Sequence, residues 1–222
     1  MNKEALIRLE HIYFSYDGEN RVLEDYDLTV QAGECLIVKG DNGAGKSTLF
    51  RILNGLSFPD SGRYIFGGDF IDKEYLQNDR NFKRFHQRIG YLFQNHDIML
   101  FNGRVYDEIA YGPRQMGLSD EETDTRVRDC MELFGIGNLA DKAPYHLSNG
   151  QKKLVALTAV LALNPEVLVM DEPFAGLDKG TKEKLIDFLK AYREFGKTII
   201  IATHEDELEL RLGGRVEIMI KR

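Results

Sequence analysis

The sequence predicts an α/β fold with a parallel-sheet core, an antiparallel N-terminal β subdomain and an inserted α-helical subdomain. After Ser148, helical patterns alternate with continuous apolar strands, which is typical of a parallel sheet covered by helices. A strand, a glycine-rich loop and a helix follow one another over residues 34–48. Before them lie short β-prone runs, and from about residue 95 to 139 the pattern is helical.

The N-terminal segment alternates β-prone runs with turn residues. The runs are residues 7–9, 13–16 and 26–30, and turn signals lie at Asp17-Gly18 and Ala32-Gly33. This pattern predicts an antiparallel meander that leads into the glycine-rich loop.

The glycine-rich loop fills the pattern GxxxxGK[ST], in which backbone N–H groups surround a polyphosphate, the lysine reaches the β/γ oxygens and the hydroxyl binds Mg²⁺. A chance glycine-rich turn is the alternative. The context argues against it, because an apolar strand precedes the loop and an apolar helical stripe at 49, 52, 53 and 56 follows it. The loop residues predicted to bind the nucleotide are Gly40, Asp41, Asn42, Gly43, Ala44, Gly45, Lys46, Ser47 and Thr48.

The middle of the chain changes character after a predicted strand at residues 89–93, which is followed by Gln94. A polar, basic segment precedes that strand. Ser119 and Glu122 form a capping-box pattern, and the apolar stripe that follows ends at Gly135, so a helix is predicted between them.

In the last third of the sequence, the apolar pattern predicts helices at residues 151–163 and 182–195 and strands at residues 167–170 and 198–202. We expect one compact unit of 222 residues. Its core lobe comprises residues 1–94 and 161–222, and the helical subdomain covers about 95–160.

The composition narrows the function classes. A net charge of −7 argues against a general nucleic-acid binder, because phosphate backbones favour basic surfaces. Two cysteines indicate a reduced protein without a disulfide framework. The N-terminus lacks a signal peptide's apolar segment, and the longest apolar stretch, at 154–163, is about half of the roughly 20 residues a spanning helix needs. Any membrane role is therefore expected to come through a partner.

The run VLVMDEP is a predicted buried strand that ends in two carboxylates. Asp171, at the carboxyl end of a parallel strand, is expected to hold Mg²⁺ opposite Ser47. Glu172 would face the γ-phosphate and orient or deprotonate the attacking water. The alternative is a solvated acidic strand end.

The run LSNGQ precedes an apolar helix, and its predicted functional residues are Ser148, Asn149, Gly150 and Gln151. Ser148 and Gln151 fit a capping box, and a well-capped helix explains the run completely. A second anion site is the other interpretation. The residues by themselves leave both open.

Five motifs occur together in the order and spacing of ATP-binding cassette ATPases: GDNGAGKST, LSNGQKK, VLVMDEP, AGLD and THE. The chain resembles this family over almost its whole length. The resemblance implies a P-loop NTPase with a RecA-like core that binds ATP and Mg²⁺. It also implies a dimer, homomeric or heteromeric, in which the LSGGQ signature of one subunit closes on the nucleotide of the other.

The resemblance also implies roles for single residues. Tyr16 would stack on adenine, and Gln94 would contact Mg²⁺ and sense the γ-phosphate. Glu172 would be the catalytic base, Asp178 the cross-dimer D-loop aspartate and His204 the switch histidine. Taken alone, Tyr16 could be a packing residue, Gln94 a strand-end amide and His204 a structural histidine.

Two positions depart from the family pattern. Asn149 replaces the first glycine of LSGGQ, which adds a side chain where backbone approaches phosphate. The Lys153-Leu154 pair stands where many members have an arginine, and no nucleotide ligand is removed.

Within the family, FSYDG, the stretch from residue 100 to 122 and DEPFAGLD resemble the ATPases of energy-coupling-factor importers, which take up cobalt, nickel or vitamins such as biotin. That resemblance implies a transmembrane coupling protein, contacted near Tyr111-Gly112-Pro113, a separate membrane substrate-binding protein, and a location at the cytoplasmic face of the cell membrane. A conventional importer or exporter cassette would share every nucleotide residue. A soluble non-transport cassette protein and a non-hydrolysing nucleotide sensor are further alternatives.

Overall fold

Two β-sheets form the framework of the structure, a computed structural model that describes residues 5–205 and 207–221. One sheet is antiparallel with strand order β2-β1-β4-β5, and the other is parallel with strand order β6-β7-β8-β3-β9. The strands of the described residues are β1 Ala5–Ser15, β2 Arg21–Gln31, β3 Cys35–Lys39, β4 Ser61–Phe66, β5 Asp69–Phe70, β6 Ile89–Leu92, β7 Val167–Asp171, β8 Thr198–Ala202 and β9 Arg215–Ile218. The helices are α1 Lys46–Leu53, α2 Lys73–Gln77, α3 Asp79–Arg88, α4 Val105–Gln115, α5 Asp120–Phe134, α6 Asn149–Leu161, α7 Lys179–Glu194 and α8 Leu208–Leu212. The predicted fold class is confirmed.

The antiparallel sheet is built on a long hairpin of β1 and β2, so the prediction of three short runs is wrong in detail. The first two runs belong to one strand, which carries an irregularity in its register between Leu9 and Ile12. The backbone of His11 is left-handed there, with φ 51°. Because this irregularity shifts the alternation by one residue, the buried side chains pass from odd to even positions, and the sequence pattern looks like two strands.

The parallel sheet lies between two hydrophobic cores. Its strands β3, β7 and β8 are buried almost throughout, as expected for a sheet covered on both faces. Alternate residues face opposite cores: Ile37 and Met170 pack with the helices α4–α7, whereas Val38 and Val169 pack with α1 and the antiparallel sheet. The sheet therefore separates the helical part of the chain from the N-terminal β part.

The register of the parallel sheet brings the strand ends together at one edge. Val38 at the end of β3 and Asp171 at the end of β7 both pair with Ala202 of β8, which lies between them. Residues that follow these strands in the sequence therefore become neighbours in space.

Several predicted helix ends need correction. α1 stops at Leu53, and Leu56 is 41% exposed instead of continuing the stripe. Gly55 ends the helix with a φ of 65°, and a Cβ there would lie 2.5 Å from Leu76 Cδ1. The last two predicted helices start earlier than expected, at Asn149 and Lys179, because the residues before them are their caps.

The capping box at Ser119 and the left-handed end at Gly135 (φ 66°) are both present, as predicted. The polar segment before β6 forms the two short helices α2 and α3. Residues 95–104 contain only a short 3₁₀ turn, His96–Met99, so the helical pattern begins later than expected, at Val105.

Candidate nucleotide site

Most of the residues predicted to bind the nucleotide line one cavity of about 310 Å³ at the carboxyl edge of the parallel sheet, whereas Gly40, Asp41 and Ala44 of the phosphate loop do not line it. The phosphate loop follows β3, the two carboxylates end β7, and Gln94 and His204 follow β6 and β8. Four larger grooves, of about 390 to 720 Å³, contain none of these residues. The cavity is lined by Tyr16, Val22, Asn42, Gly43, Gly45, Lys46, Ser47, Thr48, Gln94, Asp171, Glu172 and His204.

All three glycines of the phosphate loop, Gly40, Gly43 and Gly45, adopt backbone conformations that other residues rarely take. Gly40 has φ 151°, and a Cβ there would lie 2.3 Å from the carbonyl oxygen of Met219. Gly45 has φ 95° and stands at the N-cap of α1, where it has no side chain to accept from the first N–H groups of the helix. These N–H groups and the positive end of the helix dipole therefore remain available to an anion.

The ammonium of Lys46 lies across the phosphate loop. Its Nζ donates to the carbonyl of Gly40 and, at 3.0 Å, to that of Asp41. The loop also closes on itself through the bond from the Ala44 N–H to the Asp41 carbonyl at 3.1 Å. A cation is thus held inside the loop, where the phosphate-binding pattern requires one.

Ser47 and Asp171 meet although they are 124 positions apart in the chain. Ser47 Oγ donates to Asp171 Oδ2 at 3.2 Å. Asp171 is only 6% exposed, and burial raises the pKa of its carboxyl, while Ser47 and Lys46 lower it. The Ser47 hydroxyl oxygen and the buried Asp171 carboxylate together suit Mg²⁺, because this ion prefers hard oxygen ligands.

Glu172 follows Asp171 with a left-handed backbone, φ 49°. Its N–H donates to the Ala202 carbonyl at 2.9 Å, and its Oε1 lies 3.6 Å from His204 Nε2. Among the described residues, this buried Oε1 finds no hydrogen-bond partner. Burial raises the pKa of the Glu172 carboxyl, His204 lowers it and Asp171 raises it. A carboxylate with an elevated pKa and an unused oxygen is suited to accept a proton.

Tyr16 also lines the cavity. Its ring is 64% exposed and stands edge-on to Phe14, with 4.9 Å between ring centroids. The hydroxyl group is hydrogen-bonded to Thr48 Oγ1 at 3.0 Å, which ties the ring to the first turn of α1. Gln94 is exposed at the mouth of the cavity.

The match to a known family covers most of the chain. Residues 23–175 match the family model described as ABC transporter. The chain belongs to the ABC transporter family. It is the ATP-binding and ATP-hydrolysing cassette of that family.

Relatives with assigned names are similar over nearly the whole cassette. The nickel import ATP-binding protein LarO of Lactiplantibacillus plantarum is 45% identical over 95% of this chain and 87% of its own length. The energy-coupling factor transporter ATP-binding protein EcfA of Methanosphaera stadtmanae is 37% identical over 97% of this chain and 76% of its own.

Solved structures of cassettes share the fold. CbiO1 from Clostridium perfringens, part of the ABC transporter complex cbiONQ, matches with a TM-score of 0.83 and 35% identity over 97% of this chain and 85% of its own. A dimeric cassette in a post-hydrolysis state, bound to ADP and Pi, matches with a TM-score of 0.86 and 26% identity over 97% and 96%.

The four residues predicted to form the signature, residues 148–151, do not line the nucleotide cavity. Ser148 is the N-cap of α6 and accepts from the Gln151 N–H at 3.3 Å, while Gln151 Oε1 accepts from the Ser148 N–H at 3.0 Å. The predicted capping box is therefore present. Asn149 begins the helix with its side chain exposed, so the departure from glycine does not disturb α6.

Asp178 also stands outside the cavity and caps a helix. Its carboxylate accepts from the Thr181 N–H at 3.1 Å and from Thr181 Oγ1 at 2.6 Å, and these bonds lower its pKa. The segments predicted to be the signature and the D-loop are neighbours, since a Cβ on Gly150 would lie 3.6 Å from the Gly176 carbonyl oxygen. The chain thus brings these two segments together but not to its own nucleotide cavity.

One lining residue of the cassette, Val22, is absent from the sequence-based set. It reaches the cavity because β2 pairs with β1 and turns back beside Gly45, whose Cβ would lie 3.3 Å from Val22 Cγ1. Because a β-branched residue after a turn is common in any hairpin, the sequence does not identify Val22 as a lining residue. Only the strand pairing in the structure does so.

None of the helices in residues 5–205 and 207–221 combines the length and the apolar character needed to cross a membrane.

Proposed function

We propose that this cassette powers an importer of the energy-coupling-factor type for a transition metal ion such as nickel or cobalt, or for a vitamin such as biotin. One observation above all supports ATP hydrolysis at the cavity of this chain. The Ser47 hydroxyl and the buried Asp171 carboxylate are in contact, with Glu172 beside them and Lys46 in the same cavity.

Binding of ATP starts at the phosphate loop. The loop N–H groups and the α1 N-terminus would hold the phosphates, and the Lys46 ammonium would exchange its contacts with two loop carbonyls for phosphate oxygens. The exposed ring of Tyr16 would stack on adenine, with Val22 as an apolar neighbour.

The residues that would hold Mg²⁺ are Ser47, Asp171 and Gln94. Bound there, the ion would neutralise charge on the phosphate oxygens. Asp171 is suited to this because its buried carboxylate is poorly solvated, so a cation would find a strong partner.

Glu172 would take the proton of the attacking water. Its carboxylate is held beside the phosphate loop and keeps one oxygen without a hydrogen-bond partner among the described residues. His204, 3.6 Å away and largely exposed, would contact the γ-phosphate and orient Glu172.

A second cassette, identical or different, would complete the site. Among the predicted signature residues, Ser148 and Asn149 are exposed and Gly150 and Gln151 are half-buried, and none of the four lines the cavity of its own chain. The dimeric cassette that matches this chain supports an arrangement in which they meet the nucleotide of the partner, with Asp178 at the same interface.

The importer class is supported by the names of LarO, EcfA and CbiO1 and by an exposed apolar surface near Gln94. Ile98 and Phe101 are each 65% exposed, and Tyr111 contacts Phe101 edge-on with 5.0 Å between ring centroids. This surface would receive a transmembrane coupling protein at the cytoplasmic face of the membrane, and a separate membrane protein would bind the cargo.

Two measurements test the proposal. Purified protein should hydrolyse ATP in a Mg²⁺-dependent reaction, and Glu172→Gln should lower the turnover at least about 100-fold while ATP still binds, because only the base is lost. Full turnover by Glu172→Gln would refute its assigned role.

Co-expression with membrane proteins encoded beside this gene, followed by nickel, cobalt and biotin uptake assays in vesicles, tests the importer class. ATP-driven export, or uptake that requires a soluble binding protein, would refute it.

A further inference from the structure

Lys153 is a buried lysine one turn into α6, directly after the signature residues. The residue is 6% exposed. Its Nζ donates to the carbonyl of Glu172 at 3.0 Å and to the carbonyl of Ala175 at 2.6 Å. Lysine is rarely buried to this extent, since the ammonium loses its hydration. Burial lowers the pKa of Lys153 accordingly, and the nearby Glu172 carboxylate partly offsets this.

The two carbonyls that Lys153 binds belong to the turn that carries the proposed base. Glu172 has a left-handed backbone, which costs free energy for any residue with a side chain and persists only where neighbours hold it. Its N–H is held by Ala202 of β8, and its carbonyl is held by Lys153 of α6. The peptide groups on both sides of the Glu172 side chain are therefore fixed, each by a different element.

The neighbouring lysine on the same helix points elsewhere. Lys152 forms an ion pair with Asp97 at 2.9 Å, in the segment that follows Gln94. The two lysines thus connect the start of α6 to different segments of the chain, and of the two only Lys153 contacts the backbone of Glu172.

We infer that Lys153 is a positioning residue: it holds the backbone of Glu172 in place and ties it to the helix that begins with the signature. This inference rests on the proposed roles of Glu172 as base and of residues 148–151 as the signature. It adds a physical connection between the surface that meets the partner's nucleotide and the base of the same chain. A lysine at this place donates two hydrogen bonds to the turn, and its ammonium does not line the nucleotide cavity.

Replacement by methionine separates positioning from nucleotide binding. Lys153→Met keeps a long unbranched side chain but removes every donor, so kcat should fall about 10- to 100-fold because the carboxylate loses its alignment. KM for ATP should stay within about twofold, since Lys153 does not line the cavity. Lys153→Arg should restore kcat to within about threefold of the parent, because it returns donors to the same carbonyls.

Lys197 provides a matched control at the opposite edge of the sheet. Its Nζ also donates to two backbone carbonyls, those of Asn164 at 3.1 Å and Pro165 at 2.9 Å. Lys197→Met should lower the thermal midpoint and leave kcat unchanged below the unfolding transition. If Lys153→Met lowers kcat no more than Lys197→Met does, or if it raises KM and leaves kcat unchanged, the inference is overturned.

A second variant keeps the test decisive if Lys153→Met does not fold. Lys153→Gln retains a shorter donor and is measured by the same criteria.

Failure of the inference is distinguishable from failure of the proposed function. An inactive Glu172→Gln with a fully active Lys153→Met removes only the positioning role, whereas an active Glu172→Gln removes the base on which it rests.

Discussion

Two helices of this cassette begin at sites suited to anions, and they begin in different ways. α1 follows Gly45, which cannot cap it, and opens into the nucleotide cavity beside Lys46. α6 follows Ser148, which exchanges two hydrogen bonds with Gln151, and the start of this helix is exposed outside that cavity.

The difference shows what makes a helix N-terminus a binding site. At α1 the N–H groups face a cavity that already contains a cation and an acceptor pair, so one chain suffices to bind phosphate. At α6 the capping box satisfies part of the donors, and the first residues of the helix do not line the nucleotide cavity that the described residues form. The first terminus is therefore suited to bind phosphate within one chain, whereas the role that we propose for the second requires another chain to supply the ligand.

The largest expected effect is at the first terminus. Lys46→Ala removes the cation of the phosphate loop and should weaken ATP binding at least about 100-fold, the equivalent of roughly 3 kcal/mol of charge-assisted hydrogen bonding. The thermal shift produced by ATP should disappear at concentrations that saturate the parent protein. Lys190→Ala on the surface of α7, where the lysine lies 3.9 Å from Asp187, serves as the control. Unchanged ATP affinity in Lys46→Ala would remove the basis of the comparison.

An intermediate effect is expected at the second terminus. Ser148→Ala should leave ATP binding to the monomer unchanged but raise the ATP concentration needed for dimerisation about tenfold, measured in the Glu172→Gln background by light scattering. Ser119→Ala is a matched control, because Ser119 forms the same capping box with Glu122 at the start of α5. Each substitution should cost about 1 kcal/mol of stability. Equal losses of dimerisation in both would show that stability, not contact with the partner, is responsible.

The smallest effect is expected at Asn149. Asn149→Gly removes an exposed side chain from the first residue of α6 and allows closer backbone approach to phosphate, so dimerisation should need about two- to threefold less ATP. Asp120→Gly, at the first residue of α5, controls for the change in helix stability. Weaker dimerisation of Asn149→Gly alone would mean that the asparagine side chain itself contributes to the interface.

The elements that the sequence predicts well are those decided by near neighbours. The phosphate loop, the apolar strands β7 and β8 and both capping boxes depend on residues within a few positions of one another. Predictions failed where a distant contact overrides a local pattern. The irregularity at His11 in β1 joins two apparent strands, and the crowded site at Gly55 ends α1 before Leu56.

The residues of the candidate site also fall into two groups, those that local motifs identify and those that only tertiary contacts identify. The family motifs locate Lys46, Asp171, Glu172 and His204, and the structure brings all four to one cavity. Val22 and the contact of Lys153 with the Glu172 carbonyl depend on strand pairing and helix packing, which leave no pattern in the residues themselves.

The sequence by itself determined the fold class, the phosphate loop and the carboxylates at the end of β7, because glycine spacing, apolar periodicity and motif order are local properties of the chain. Only the tertiary structure decided which helix terminus faces a cavity. The order of the strands places Ser47 against Asp171 across β8 and leaves Ser148 on the outer surface. The physical reason is that a cavity is formed by elements distant in sequence, whereas capping and periodicity are formed within one element.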